Sequence, residues 1–248
     1  MALSNGSHFS MSVKFKTFPW AGETFDECET IEGKTRLYKT PKGNFPSMTS
    51  ILSVLDDGGI DRWRKRVGAE EADRITNEAA DRGNALHDYN ELYLQNRLER
   101  SMMKGQARVL FNRVKNHLDT VDLVLATEAP LWNEEYEYAG RVDAIVMMNN
   151  HLTILDHKNS RRPINLNMSF GRKKQFKYML QCCGYGRALY KMKGYKPTKG
   201  CLIVGNHLTS TSDKIVFDLE PLEKELDLVI EAYHGDPEVI NRSLYYRL

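Results

Sequence analysis

The chain has 248 residues, 41% of them apolar, enough for one good-sized core or for one core with a small helical lobe. No apolar run approaches the eighteen or so residues a membrane span needs, and the opening MALSNGSHFS lacks the basic start and apolar stretch of a signal peptide, so a soluble cytoplasmic protein is expected. Thirty-five Lys and Arg against 33 Asp and Glu leave a net charge of only +2, so bulk charge does not mark a nucleic-acid binder and any such reading must rest on local patches.

Residues 1–12 are small and polar, which predicts a poorly ordered start before a single domain over 13–248. Short strands and turns follow, with TRLYKT leading into PKGN. Pro46-Ser47-Met48-Thr49 opens a helix in which Ile51, Leu52 and Leu55 recur at helical spacing until Asp57-Gly58-Gly59 ends it. The helical part then runs to about residue 120. It contains one helix around Trp63, a long charged one from Ala69, one from Gly83 to Leu94 and one from Gln106 to Leu118.

From Leu123 to Asn159 the composition turns to Val, Ile, Thr and Tyr, and two alternating strands, AGRVDAIVMM and HLTILDHK, flank Asn149-Asn150. A basic helix spans Gly171 to Lys193, followed by the strands CLIVGN and KIVFDL and a helix from Pro221 to about Tyr233. This order predicts an α/β fold with a mixed central sheet. The four cysteines Cys28, Cys182, Cys183 and Cys201 include no C-x-x-C and suit neither a disulfide framework nor a zinc site, so four reduced thiols are expected.

Asn tolerates positive φ, so Asn149-Asn150 predicts a two-residue hairpin loop. That register pairs Met148 with His151, Met147 with Leu152 and Ile145 with Ile154, and sets Asp143 directly opposite Asp156. An acid-x-Lys pair by itself says little, since a chain of this composition contains about five by chance. Two aspartates facing each other on an otherwise apolar face are different: like charges there are destabilising unless something compensates. A divalent cation would do so, because Mg²⁺ takes carboxylate oxygens and leaves positions for water and phosphate. Lys158 lies two residues beyond Asp156 on the same face, where an ammonium would orient or help deprotonate a water or neutralise phosphate charge. Glu128, in phase with Val124 and Ala126 on the preceding strand, adds a third acid within reach. On the basic helix, Lys174, Tyr178, Gln181 and Tyr185 share a stripe, and Arg172-Lys173-Lys174-Gln175-Phe176-Lys177 interleaves charge with aromatics as expected for phosphate contact and base stacking.

Glu128, GRVDAI, ILDHKNS and then Gln181-Cys182-Cys183-Gly184-Tyr185 together resemble the PD-(D/E)xK nucleases, within them the RecB-like branch marked by Q-x-x-x-Y. Arg82-Gly83-Asn84-Ala85-Leu86-His87 resembles that branch's R-G-x-x-x-H, and Pro46-Ser47-Met48-Thr49 the P-S-V-T of its phage exonucleases and of the mitochondrial genome-maintenance exonuclease. The resemblance implies a restriction-endonuclease-like core, with Asp143, Asp156 and His87 as metal ligands and Lys158 as the catalytic lysine. Glu128 would be a further acidic member, and Gln181 and Tyr185 would hold the lysine or the DNA. Asn159 and His157 depart from the residues usual at their places. Ser47 and Thr49 read first as a helix N-cap, and a helix N-terminus is also a ready phosphate site.

The expected function is Mg²⁺- or Mn²⁺-dependent hydrolysis of DNA phosphodiesters with one or two ions. No G-x-x-x-x-G-K-[ST] is present, which argues against ATP-driven unwinding and favours single-stranded DNA or DNA ends as substrate. Residues 46–120 would form an arch through which an end threads, making exonuclease the first expectation. The alternatives are a structure- or sequence-specific endonuclease, an inactive DNA-binding accessory protein, and a hydrolase of another phosphate ester. A bacterial cell or phage-infected host is the expected setting.

Overall fold

A computed structural model describes residues 14–18, 25–33 and 35–248, so the expectation for residues 1–12 lies outside the described residues. Strand β1 (Lys16–Thr17) precedes a small antiparallel sheet of β2 (Glu29–Ile31), β3 (Leu37–Thr40) and β4 (Gly43–Pro46). Helix α1 (Met48–Ile51) is capped by the Ser47 hydroxyl, which accepts the Ser50 amide, and continues as a 3-10 turn over Leu52–Leu55. Then come α2 (Gly59–Val67), α3 (Ala69–Leu94) and α4 (Gly105–Leu118). The two helices expected after Ala69 are one helix of 26 residues. Gly83 lies inside it, because a helical glycine costs only about 1 kcal/mol and does not forbid the helix.

The second half of the chain supplies β5 (Leu123–Asn133), β6 (Tyr138–Met148), β7 (His151–Ser160), α5 (Ser169–Lys193), β8 (Lys199–Asn206), β9 (Ser212–Asp218) and α6 (Glu223–His234). The main sheet runs in the order β1-β5-β6-β7-β8-β9. β5, β6 and β7 are antiparallel neighbours, β7 and β8 are parallel, and β8 and β9 are antiparallel. The fold is α/β with a mixed sheet, as the element order implies.

Alternation of side chains along the strands assigns each face its own helices. Ile145, Ile154, Leu202 and Val204 pack with α1, α5 and α6, whereas Ala144, Val146, Leu155 and Ile203 pack with Leu86 and Leu94 of α3 and with Leu110 and Val114 of α4. The helical part is therefore no separate lobe: α4 and the second half of α3 cover the sheet. What stands clear of the core is α2, which has no buried residue, and the first half of α3, where Ala72 alone is buried. All four cysteines are free and buried.

α5 crosses between the parallel strands β7 and β8, and α1 rests on it at Gly184. A Cβ there would come 2.1 Å from Met48 Sδ, while the Gly184 carbonyl accepts the buried Tyr138 hydroxyl at 2.9 Å. Gly184→Ala is expected to cost about 1–3 kcal/mol through overpacking, lowering Tm by several degrees in a thermal melt. An unchanged Tm would show that α1 yields freely.

Candidate active site

The hairpin turns as its asparagines require, with φ of +50° at Asn149 and +62° at Asn150. The expected register follows: Met148 pairs with His151, Met147 with Leu152 and Ile145 with Ile154. The ladder stops at Ala144 and Leu155, one pair short of the two aspartates. There the Asp143 carboxylate accepts the His157 amide at 2.5 Å, so the strands part where their acids would have faced each other. The acids separate into two environments. Asp156 is 1% exposed and faces α5, whereas Asp143 lies 3.6 Å from His87 Nδ1 of α3.

Glu128 reaches Asp143 by a different route from the one its phase suggests. The register of β5 on β6 shifts between Val124 and Ala126, which breaks the alternation, and Glu128 itself is left-handed at φ +47°. On β6, Val142, which pairs with Ala129, joins the core of Ile145 and Ile154 although strict alternation would place it with Ala144. Both strands depart from alternation near this level, and ligand atoms of His87, Glu128 and Asp143 come within 4.8 Å of one another. A non-glycine residue in that conformation is strained by roughly 1–3 kcal/mol and is held by its surroundings.

Charge explains what such a cluster needs. Burial, then the neighbouring Asp143 and Glu91, push the Glu128 carboxyl up to about 8 against the opposing pull of Arg141. Burial pushes Asp156 up to about 6, opposed by Lys158 and aided by Asp143. Burial disfavours the Lys158 ammonium, but Asp156 and Asp143 outweigh it and hold the lysine charged. His157 is buried with neither ring nitrogen partnered, and burial lowers its pKa to about 3. It packs edge-on to His87 with centroids 5.8 Å apart.

The lysine is clamped from the helix side. Lys158 Nζ donates to Asp156 Oδ1 at 2.9 Å and to Gln181 Oε1 at 3.2 Å, Gln181 Nε2 donates to the Tyr185 hydroxyl at 3.2 Å, and the Tyr178 ring lies 4.9 Å from Nζ. Lys174 donates to Ser160 at 3.3 Å. The stripe expected on α5 faces the sheet: Gln181, 8% exposed, accepts from the lysine, and Tyr185, 4% exposed, accepts from Gln181.

Other expected DNA contacts are redirected. Arg172 spends its guanidinium on the carbonyls of Leu248 and Leu166, and Lys173 sits over the rings of Tyr245 and Tyr246. One helical step rotates a side chain by a quarter turn or more, so these two leave the face that Lys174 occupies. Ser47 is buried, sharing its hydroxyl with Thr49 and Ser50, and the four-residue α1 offers only a cap. Sequence reading passed over Arg161 and Arg162, the basic pair just past the end of β7, whose position two residues beyond Asn159 was the available signal.

One imidazole and two carboxylates are a donor set for a divalent cation that prefers oxygen and tolerates nitrogen, such as Mn²⁺ or Mg²⁺. Asp156 is buried and near them, but both its oxygens lie within 3 Å of Lys158 Nζ, Oδ1 at 2.9 Å and Oδ2 at 2.8 Å, so it serves the lysine first. The residues present fit such an ion. No helix among the described residues is long and apolar enough to cross a membrane.

No protein-family model matches the chain, and no curated protein is similar to it. Among solved structures, one described as "Crystal structure of SSO0001" is 15% identical over 76% of this chain and 79% of that chain, with a TM-score of 0.32, a likeness too loose to bear on fold or function.

Proposed function

We propose that the chain is a metal-dependent nuclease with a restriction-endonuclease-like core, hydrolysing phosphodiesters of single-stranded DNA or of DNA ends without ATP. The observation that supports it most is the clamped lysine: Lys158, held by Asp156, Gln181 and Tyr178, stands at the parting of the strands beside His87, Glu128 and Asp143. A bound Mg²⁺ or Mn²⁺ supplies the positive charge and the acidity of water that phosphodiester hydrolysis needs at neutral pH. His87, Glu128 and Asp143 would hold it, with Asp156 beside them. Because Lys158 stays charged, it acts as a donor to the attacking water or to a phosphate oxygen and not as a base. Gln181 and Tyr185 keep its ammonium from turning aside.

The test is incubation with 5′- and 3′-labelled single-stranded DNA, with Mg²⁺, with Mn²⁺ and with EDTA. Cleavage that requires the ion is the expected result, and none with either ion overturns the reading. The exonuclease half rests on α2 and the first half of α3, which stand clear of the core as the remaining part of the expected arch. A circular single strand is expected to resist, and its cleavage shows an endonuclease.

A further inference from the structure

Beside the lysine lies a cavity of about 520 Å³ that the reaction centre does not use, lined by Arg161, Arg162, Phe170, Lys174, Met168 and Ile164 among others. Its cations are unspent. Arg161, Arg162 and Lys174 take part in no ion pair among the described residues, although Lys174 donates to Ser160, and all three line one cavity with no Asp or Glu on its wall. More positive charge stands behind them: burial, then Arg82, Arg161 and Arg113, hold the nearby His207 imidazole below its ordinary value. The loop after β7 and helix α5 thus bring three cations to the cavity wall, with Arg82 and Arg113 near the adjoining His207, and none of the five is in an ion pair among the described residues. Such an arrangement costs self-repulsion and is relieved by a polyanion.

Two further features say which polyanion. Phe170 presents its ring to solvent at 73% exposure on the cavity wall, a flat apolar surface among cations. Stacking on an exposed aromatic suits unpaired bases, whereas an acidic peptide has no use for it. The cavity is also continuous with the site. Ser160, on its wall, lies two residues past Lys158 on β7, about 7 Å along the strand, and accepts Lys174 at 3.3 Å. The loop that forms the wall is seated closely on α5, since a Cβ at Gly171 would lie 2.0 Å from the Asn165 carbonyl oxygen.

We infer that this cavity holds the nucleotides next to the scissile phosphate: a single nucleic-acid strand runs through it with phosphates on Arg161, Arg162 and Lys174 and a base stacked on Phe170. The inference deepens the nuclease reading and rests on it for the direction of the strand towards Lys158, but its test reads binding alone. The full chain, with Ca²⁺ in place of Mg²⁺, is titrated against fluorescein-labelled (dT)12 by anisotropy over a series of salt concentrations. Arg161→Ala/Arg162→Ala is expected to weaken binding about tenfold or more at low salt and to reduce the slope of log K against log salt by about 1.4, two single-strand phosphate contacts' worth. Phe170→Ala is expected to weaken it about fivefold or more with the slope unchanged. Circular dichroism melts of both variants report whether the fold is kept.

Unchanged affinity and slope in the double variant, with the wild type binding, overturn the strand path and leave the nuclease reading standing. The expected losses in a protein that cleaves nothing with Mg²⁺ or Mn²⁺ support the path and overturn the nuclease. Poly-glutamate displacing the strand as well as unlabelled (dT)12 does overturns the nucleic-acid assignment, and a wild type that binds no strand overturns both.

Discussion

Lys158→Ala is expected to lower the rate of DNA cleavage about a hundred- to a thousandfold while single-strand affinity stays within a few-fold, measured as single-turnover rate and anisotropy. A charged donor aimed at the reacting phosphate is worth about 10²–10³ in rate, and here no second cation can take the place, since Lys174 is turned to Ser160. The same change leaves Asp156 buried without a counter-charge, which costs up to about 3–5 kcal/mol while it stays ionised. Asp156 escapes by taking a proton, because its pKa is already raised to about 6 and rises further without the lysine. The variant's Tm should therefore lie closer to the wild type at pH 5 than at pH 8. Asp156→Asn combined with Lys158→Met removes both charges, so it should recover stability without recovering cleavage. Gln181→Leu, which frees the ammonium from one anchor, is expected to be intermediate. Cleavage by Lys158→Ala at the wild-type rate rejects the role given to the lysine.

In EDTA the protein is expected to lose stability as pH rises from 6.5 to 8, and Mn²⁺ is expected to restore it most at the upper end. The sign follows from Glu128. Its folded pKa, about 8, lies above its ordinary value, so between the two the native state keeps a proton that the unfolded chain has released, and stability falls as pH rises. Asp156 acts in the same direction only up to about 6. His157, buried neutral with its pKa near 3, removes stability in the opposite direction, below the 6.5 of a free imidazole. The window from 6.5 to 8 therefore isolates Glu128.

A cation held by Glu128, Asp143 and His87 displaces that proton. Mn²⁺ affinity should tighten by up to about tenfold per pH unit across the window, with about one proton released in calorimetry. At a hundred times its Kd the ion adds about 2.7 kcal/mol, a rise of roughly 5–10 °C in Tm. Glu128→Gln should flatten the pH dependence and Asp143→Asn should abolish the response. A Tm in EDTA that holds or rises from pH 6.5 to 8 contradicts the Glu128 environment, and Mn²⁺ binding unaffected by Asp143→Asn contradicts the ligand set.

The sequence by itself determined the hairpin, its register and the alternation that gives the sheet two covered faces. These depend on short-range rules: two asparagines that accept positive φ, a period of two along strands and one of 3.6 along helices. For Gln181 the resemblance left two roles open, the lysine or the DNA, and the fold sets it against Lys158. Only the tertiary structure decided how the acids are shared. Facing aspartates repel, so the ladder opens at Asp143, whose carboxylate takes the His157 amide and turns to His87, while Asp156 stays with Lys158. No periodicity encodes the left-handed Glu128, which lies just past the register shift of β5 on β6. Nor does composition say which of three consecutive basic residues on α5 faces the site. Arg172 and Lys173 are drawn to Leu248 and Tyr245, and Lys174 alone is left for Ser160, because packing partners some seventy residues away in sequence compete for the helix's faces.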